Sequence, residues 1–412
     1  MLEEEPAGIH VTGFRDPYVS EWPTMDKLRG TPKTLYGIIS GGEHDKGPRS
    51  YLYAIDPQDL TAWTYLHPIT QDIPTNFRPS LWSGDFGVNW ECSNFMTLHD
   101  AEDKPYQVFI MGSEGGKEQD RVSTHRKAHP DAPSRIPRYA NWTIGSLSQQ
   151  TSEVKLVPEI TGLLDWGIFY AATSCLSADG RRILWGWMIE EDLAQKELEK
   201  KKWTGCFAVP RELFIQSVDN VVGALSSKLG LIGSAFAVGS TLCTLGMRPL
   251  AELINLRGDL LYDHAPSALR EYHRCLPHAP LACRIEALFR VYEDTRTVSL
   301  IVRHSDNLST ATRITFDCAT EEVLVDRSIS THRADINTSP EVGPFTLYRI
   351  GDLDTIEPLR LTVFLDHDTV EVFANDRFVI STRVYTDAQC TGISLESVGS
   401  GQVDKLKVWD MH

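Results

Sequence analysis

Short runs of β-branched and aromatic residues recur from residue 34 onward, among them TLYGIISGG, SYLYAID, YQVFIMGS, NWTIGSLS, IFYAATSCL, RRILWGWM and CFAVPREL, separated by Gly, Pro, Asp and Asn clusters. Runs of that length bounded by turn residues predict antiparallel strands. No strand alternates with a long helix, which disfavours a doubly wound α/β fold. The one strong helical pattern, EEDLAQKELEKKK from Glu190, is polar nearly all round and predicts a solvated surface excursion between strands. From about 215 to 265 the composition shifts to Gly, Ser, Ala and Leu. The domain junction is therefore set there, with a first domain at 1–220, a linker at 221–265 and a second domain at 266–412. In the second domain EALFRVYE, TVSLIVRH, TRITFDC, LRLTVFLD and TVEVFAND alternate with period two, as strands with one buried face do. LTVFLDHDTVEVFANDRFVISTRVY reads as successive hairpins turning at Asp366 to Asp368 and at Ala374 to Arg377. The whole chain is predicted all-β, and the second block a two-sheet β-sandwich.

A chain of 412 residues with 42% hydrophobic content can build two or three cores. Its formal net charge of -16 argues against nucleic acid as a partner, since phosphate neutralisation needs clustered Lys and Arg in excess. The eight Cys have neither metal-knuckle spacing nor disulfide-scaffold density, and most read as small buried hydrophobes. MLEEEPAGIH is acidic where an export signal wants a basic patch, so no signal peptide is read. The longest apolar segment, VVGALSSKLGLIGSAFAVGS, carries Lys228 with several Gly and Ser, and is read as linker or packed surface rather than a membrane span. Sequons at Asn141, Asn307 and Asn337 point weakly the other way, to a secretory route. There is no glycine-rich phosphate loop, zinc-spaced cluster or serine elbow, and His44, His99, His264 and His278 have no ligand spacing. No metal and no organic cofactor are expected.

Two carboxylates stand out. Glu91 lies in GVNWECSNFMTL between Trp90 and Cys92. Aromatic, low-dielectric surroundings would raise its pKa and let it donate a proton to a leaving group; the alternative is a salt-bridged strand-end Glu. Asp16, in GFRDPYVS, either opens a turn before Pro17 or forms half of a working pair. Glycoside hydrolysis requires carboxyl groups flanking one bond at about 5 to 10 Å, a proximity that spacing along the chain leaves open.

TGFRDPYV and NWECSNF resemble the Arg-Asp-Pro and Glu-Cys motifs of glycoside hydrolase family 32, the invertases, inulinases, levanases and fructosyltransferases. LDWGIFYAA from Leu164, GRRILWGWM from Gly180, WTGCFAVPRELF from Trp203, VDRSIS from Val325 and LDHDTVEVFAND from Leu365 follow in the family's order. The resemblance implies a five-bladed β-propeller with its active site in a central funnel, followed by a β-sandwich. Here the propeller would be incomplete, lacking most of the first blade and part of the next. It implies Glu91 as general acid/base, Asp16 as transition-state stabiliser, and Arg15 and Cys92 beside the sugar. Asp165 is assigned to substrate binding or to structure in equal measure, and Tyr170 to packing. Trp185 and Trp187 are read as blade core rather than sugar platform. The implied substrate is a small carbohydrate with β-fructofuranosyl bonds, sucrose or a fructan, cleaved with retention; for a full-length form the location would be extracellular, and no membrane partner is expected. One departure stands against this: the family's nucleophile segment has no counterpart, and no Asp precedes Asp16. The nucleophile is thus read as absent, which keeps a non-catalytic or vestigial sugar-binding protein as the alternative.

Overall fold

Two four-stranded antiparallel sheets and a six-stranded one follow one another in the computed structural model, which describes residues 5–31, 33–115, 130–150 and 153–412. The first sheet is β1 (Val11–Glu21), β2 (Leu35–Glu43), β3 (Gly47–Asp56) and β4 (Asp59–Pro68). The second is β5 (Asn89–His99), β6 (Pro105–Glu114), β7 (Arg138–Gln150) and β8 (Glu153–Leu163). The third is built on β9 (Phe169–Leu176), β10 (Arg182–Met188), β11 (Arg211–Val218) and β12 (Thr241–Pro249), with the short strands Cys206–Phe207 and Phe236–Val238 added on β10 and β12. Within each, the four numbered strands pair in chain order, as hairpin-linked meanders do. A short helix, α1 (Pro23–Arg29), starts on a Pro and stops at Gly30, whose φ of 67° gives the left-handed stop that lets the chain enter β2. The predicted excursion contains α2 (Gln195–Lys201), which buries none of its residues.

The sheets stack face to face as propeller blades do. Trp22, Tyr36, Leu52, Phe86, Trp90 and Phe95 fill the space between the first and second, where Trp22 stacks on Phe95 at 4.2 Å. Met96, Val108, Trp142, Ile144, Phe169 and Leu184 fill the space between the second and third. Among the described residues there are three such sheets, an incomplete ring relative to five blades. The outer face of the first sheet carries Phe14, Trp63 and Tyr65 around Ile39 and Tyr51. The outer face of the third carries Trp185, Trp187 and Phe207, exposed by 38%, 37% and 78%. Trp185 and Trp187 are thus on an open face, where no described sheet covers them, instead of in a blade core.

The segment 221–265 is not a linker. All eight residues of β11 pair with β12, Val221–Ala224 pairs with Tyr348–Ile350, and Arg257–His264 joins the long strand Gly392–Met411. Leu242, Leu245 and Met247 are buried; the Gly and Ser around them mask this strand in the composition. Gly392–Met411 also pairs with Ser267–Leu276, Ala282–Val291 and Thr297–His304 in an eleven-stranded sheet wrapped on one core. Its hairpins turn between Asp366 and Thr369 and between Ala374 and Phe378, where the alternation places them. All eight Cys are free, and four of them are buried. Asn141 and Asn337 are buried, leaving Asn307 as the exposed sequon. No helix among the described residues is long and apolar enough to cross a membrane.

Propeller and sandwich share backbone bonds and buried ions. Trp166 and Ile168 donate their N–H groups to Val379 and Ser381, and a Cβ on Gly167 would lie 1.8 Å from the Ser381 carbonyl oxygen. Asp192, held well below the carboxylate range by Arg135 and Arg327 against the opposing effect of burial, ties β10's exit to the sandwich. At the same junction Asp165 and Glu371 share Arg211, at 2.7 and 3.6 Å. Burial pushes the Glu371 carboxyl up to about 7, with Arg211 opposing and Asp165 adding. A folded pKa above the unfolded one means the native state holds the extra proton, so this contribution is present below the ordinary carboxylate range and is lost as pH rises towards 7. Glu371→Gln is therefore expected to gain on the wild type between pH 5 and pH 8 by on the order of 2 kcal/mol in urea unfolding. Parallel stability curves would contradict this.

Candidate functional site

The innermost strand of each blade carries the same defect. Against β2, the four residues from Arg15 to Tyr18 face three, Ser40 to Ile38. Against β6, Glu91 to Asn94 face Gly112 to Ile110. Against β10, Tyr170 to Thr173 face Trp187 to Trp185. In each bulge the residue after the first has left-handed backbone: Asp16 at φ 56°, Cys92 at 47° and Ala171 at 50°. The extra residue flips the pleat. Trp90 and Phe95, five apart, consequently enter the same core. Arg15, Glu91 and Tyr170 become equivalent positions on three neighbouring strands and turn towards one another.

Arg15 Nε donates to Glu91 Oε1 at 2.7 Å, and Tyr170 Oη donates to Glu91 Oε2 at 2.9 Å. Gly112, opposite Glu91, leaves room for that phenol: a Cβ there would be 3.0 Å from Tyr170 Oη. In return the N–H of Cys92 donates to Asp16 Oδ2 at 3.1 Å, with the Cys92 thiol at 3.6 Å. Each strand thus offers a carboxylate and, one residue away, the donor that holds the other's. Burial, then the charge of Asp16, pushes the Cys92 thiol up to about 12, so it stays a protonated donor. Burial and the Glu91 charge likewise drive the Tyr170 phenol upward. For Arg15 burial acts against the charge, but Glu91 and Glu114 outweigh it and raise its pKa. Both Glu91 oxygens keep a lone pair beyond these bonds, enough to meet a substrate oxygen.

The structure therefore brings Arg15, Asp16, Glu91 and Cys92 together. It sets Asp165 elsewhere: buried, bonded to Arg211 at 2.7 Å, to Ser381 Oγ at 2.6 Å and to the Gly167 N–H at 2.7 Å. That carboxylate is engaged by the domain junction. The apolar surround expected for Glu91 is also replaced, because Trp90 points into the inter-sheet core and bonds the Phe86 carbonyl, leaving Glu91 among polar groups. Tyr170 packs as expected, yet its hydroxyl reaches the site. Sequence reading missed Glu114, bonded by Arg15 Nη2 at 2.9 Å, and Arg138, 4.0 Å from Glu114 and over the Tyr170 ring. The signal for Tyr170 was available in three aromatic-led pairs, Phe14-Arg15, Trp90-Glu91 and Phe169-Tyr170. A groove lined by Phe14, Arg15, Pro17, Ile39, Leu60 and Trp63 opens beside Arg15. Among the described residues no group of three or more His, Cys, Asp or Glu could hold a metal ion.

The family description "Glycosyl hydrolases family 32 N-terminal domain" matches residues 1–224, and "Glycosyl hydrolases family 32 C terminal" matches residues 273–410. The probable sucrose-6-phosphate hydrolase of Psychromonas ingrahamii is 25% identical over 96% of this chain and 57% of its own. The sucrose-6-phosphate hydrolase of Staphylococcus xylosus is 25% identical over 98% of this chain and 66% of its own. The chain thus spans less than two thirds of the length of these relatives. In structure it is similar to the Aspergillus kawachii β-fructofuranosidase complexed with glycerol, with a TM-score of 0.84 and 27% identity over 98% of this chain and 72% of that one.

The two tyings predict different costs. Asp165→Ala leaves the buried Arg211 with only the more distant Glu371 carboxyl and should cost about 3 to 5 kcal/mol in chemical unfolding. Tyr170→Phe removes one hydrogen bond and should cost about 1 kcal/mol. Equal losses would contradict the separation of junction from site.

Proposed function

Since the chain belongs to glycoside hydrolase family 32, we propose that the paired bulges form the acid/base and charge-stabilising half of a β-fructofuranosidase site, acting on sucrose or fructans with retention of configuration. One observation carries the reading: Asp16 and Glu91, 75 positions apart in the chain, are held on adjacent strands by each other's neighbours. Glu91 would protonate the leaving glycosidic oxygen and then take a proton from the incoming water, roles that share one carboxyl group in retaining hydrolysis. Asp16 would oppose the positive charge that develops on the furanose ring. Arg15, bound to two carboxylates, acts on Glu91 more than on sugar. The sucrose-6-phosphate hydrolases and β-fructofuranosidase among the relatives support a sucrose-type substrate.

Retention also requires a carboxylate nucleophile to form the covalent intermediate. The resemblance sets it ahead of Asp16, where this sequence holds Glu3, Glu4 and Glu5 but no Asp. The alternative reading is a sugar-binding protein without turnover.

Fructose release from sucrose, inulin and levan, measured for this chain and for a form extended ahead of Met1 by the family's aspartate segment, separates the two. We expect release from the extended form, reduced about 10²- to 10⁴-fold by Glu91→Gln with unfolding unchanged. Asp16→Asn should lower kcat; an effect confined to KM would reassign it to ordinary binding. Binding without release in the extended form favours the second reading, and undiminished release in Glu91→Gln refutes the first.

A further inference from the structure

A general acid must carry a proton, yet Glu91 sits 2.7 Å from a guanidinium nitrogen. An opposite charge at that range favours a carboxylate anion over the protonated acid. Arg15 is not spent on Glu91 alone. Its Nη2 is 2.9 Å from Glu114 Oε2, which also accepts from Asn89 Nδ2 at 3.3 Å. Arg138 Nε lies 4.0 Å from Glu114 Oε1, while Arg138 Nη1 is bound by Glu191 at 2.7 Å. The Arg138 guanidinium also lies over the Tyr170 ring at 5.6 Å, and Tyr170 returns to Glu91. Glu91, Arg15, Glu114, Arg138 and Tyr170 thus close a ring of five side chains drawn from β5, β1, β6, β7 and β9.

We infer that Glu114 is a positioning residue: by sharing Arg15, it loosens the hold of that guanidinium on Glu91 and so lets Glu91 keep a proton. The inference rests on the acid/base role proposed above and adds the group that makes it compatible with the ion pair. With both carboxylates ionised, the set Glu91, Arg15 and Glu114 carries one net negative charge, and a proton on Glu91 neutralises it. Without the Glu114 charge, the pair Glu91 and Arg15 is already neutral, and protonating Glu91 leaves a net positive charge facing Arg138. Among the described residues, the charged or titratable partners of the ring that act in this balance are Arg15 and Asp16 on β1, Cys92 on β5, Glu114 on β6, Arg138 on β7, Tyr170 on β9 and Glu191 beyond β10. Asn89 and Arg138 keep Glu114 in register with Arg15.

The test is a carbon-13 NMR titration of the whole chain labelled at glutamate Cδ, with the Glu91 signal identified by its disappearance in Glu91→Gln. In Glu114→Gln, which preserves shape and an acceptor but removes charge, the Glu91 midpoint should fall by about one pH unit. In Glu114→Asp, which restores the charge, it should return towards the wild-type midpoint. An unchanged or raised midpoint in Glu114→Gln overturns the inference, as does an Asp variant displaced as far as the Gln variant. The measurement needs no turnover, so a chain that releases no sugar counts against the proposed function and leaves this result standing.

Discussion

Two strand bulges clasp each other, and the site depends on that reciprocity. Arg15 reaches from β1 to Glu91, and the Cys92 N–H reaches from β5 to Asp16. Neither bond is available to a regular strand, because without the extra residue the pleat would send one partner to the opposite face. Left-handed backbone at a non-glycine residue costs on the order of 1 to 3 kcal/mol. The surroundings meet that cost by over-determining the strand: Trp90 and Phe95 are locked in the core on either side of Cys92, and Ser40 Oγ accepts the next N–H, that of Ser93. The strain is thus localised where side chains must be aimed.

The sandwich takes part in this aim from behind. Asp165, Trp166 and Ile168 are bonded to Val379, Ser381 and Arg211, and β9 begins at the residue after Ile168, with Tyr170 one further on. The junction therefore fixes the register from which the phenol reaches Glu91. A buried carboxylate pair sharing one arginine is a poor source of net stability, since desolvation offsets attraction. Its contribution is geometric, holding the third blade against the second domain.

The sequence carries most of the architecture in its periods. Two-residue alternation in 282–383 locates the hairpins of the sandwich, and turn clusters separate the blade strands. It misleads where composition overrides period: Gly and Ser around Leu242 and Met247 look like a linker but line a paired edge. Arg15, Asp16, Glu91 and Cys92 were legible because they sit inside distinctive motifs. Glu114 was not, because it lies at the very end of a predicted strand beside glycines and acts on Glu91 only through Arg15. Asp165 shows the converse: a carboxylate in a recognisable motif whose partners, Arg211 and Ser381, are 46 and 216 positions away.

A crystal structure of this chain soaked with fructose tests the shared cavity most directly. The account predicts a furanose ring within hydrogen-bonding reach of both Asp16 and Glu91, with Arg15 still bound to Glu91. Carboxylates turned into separate environments, or sugar seated away from both, would contradict it.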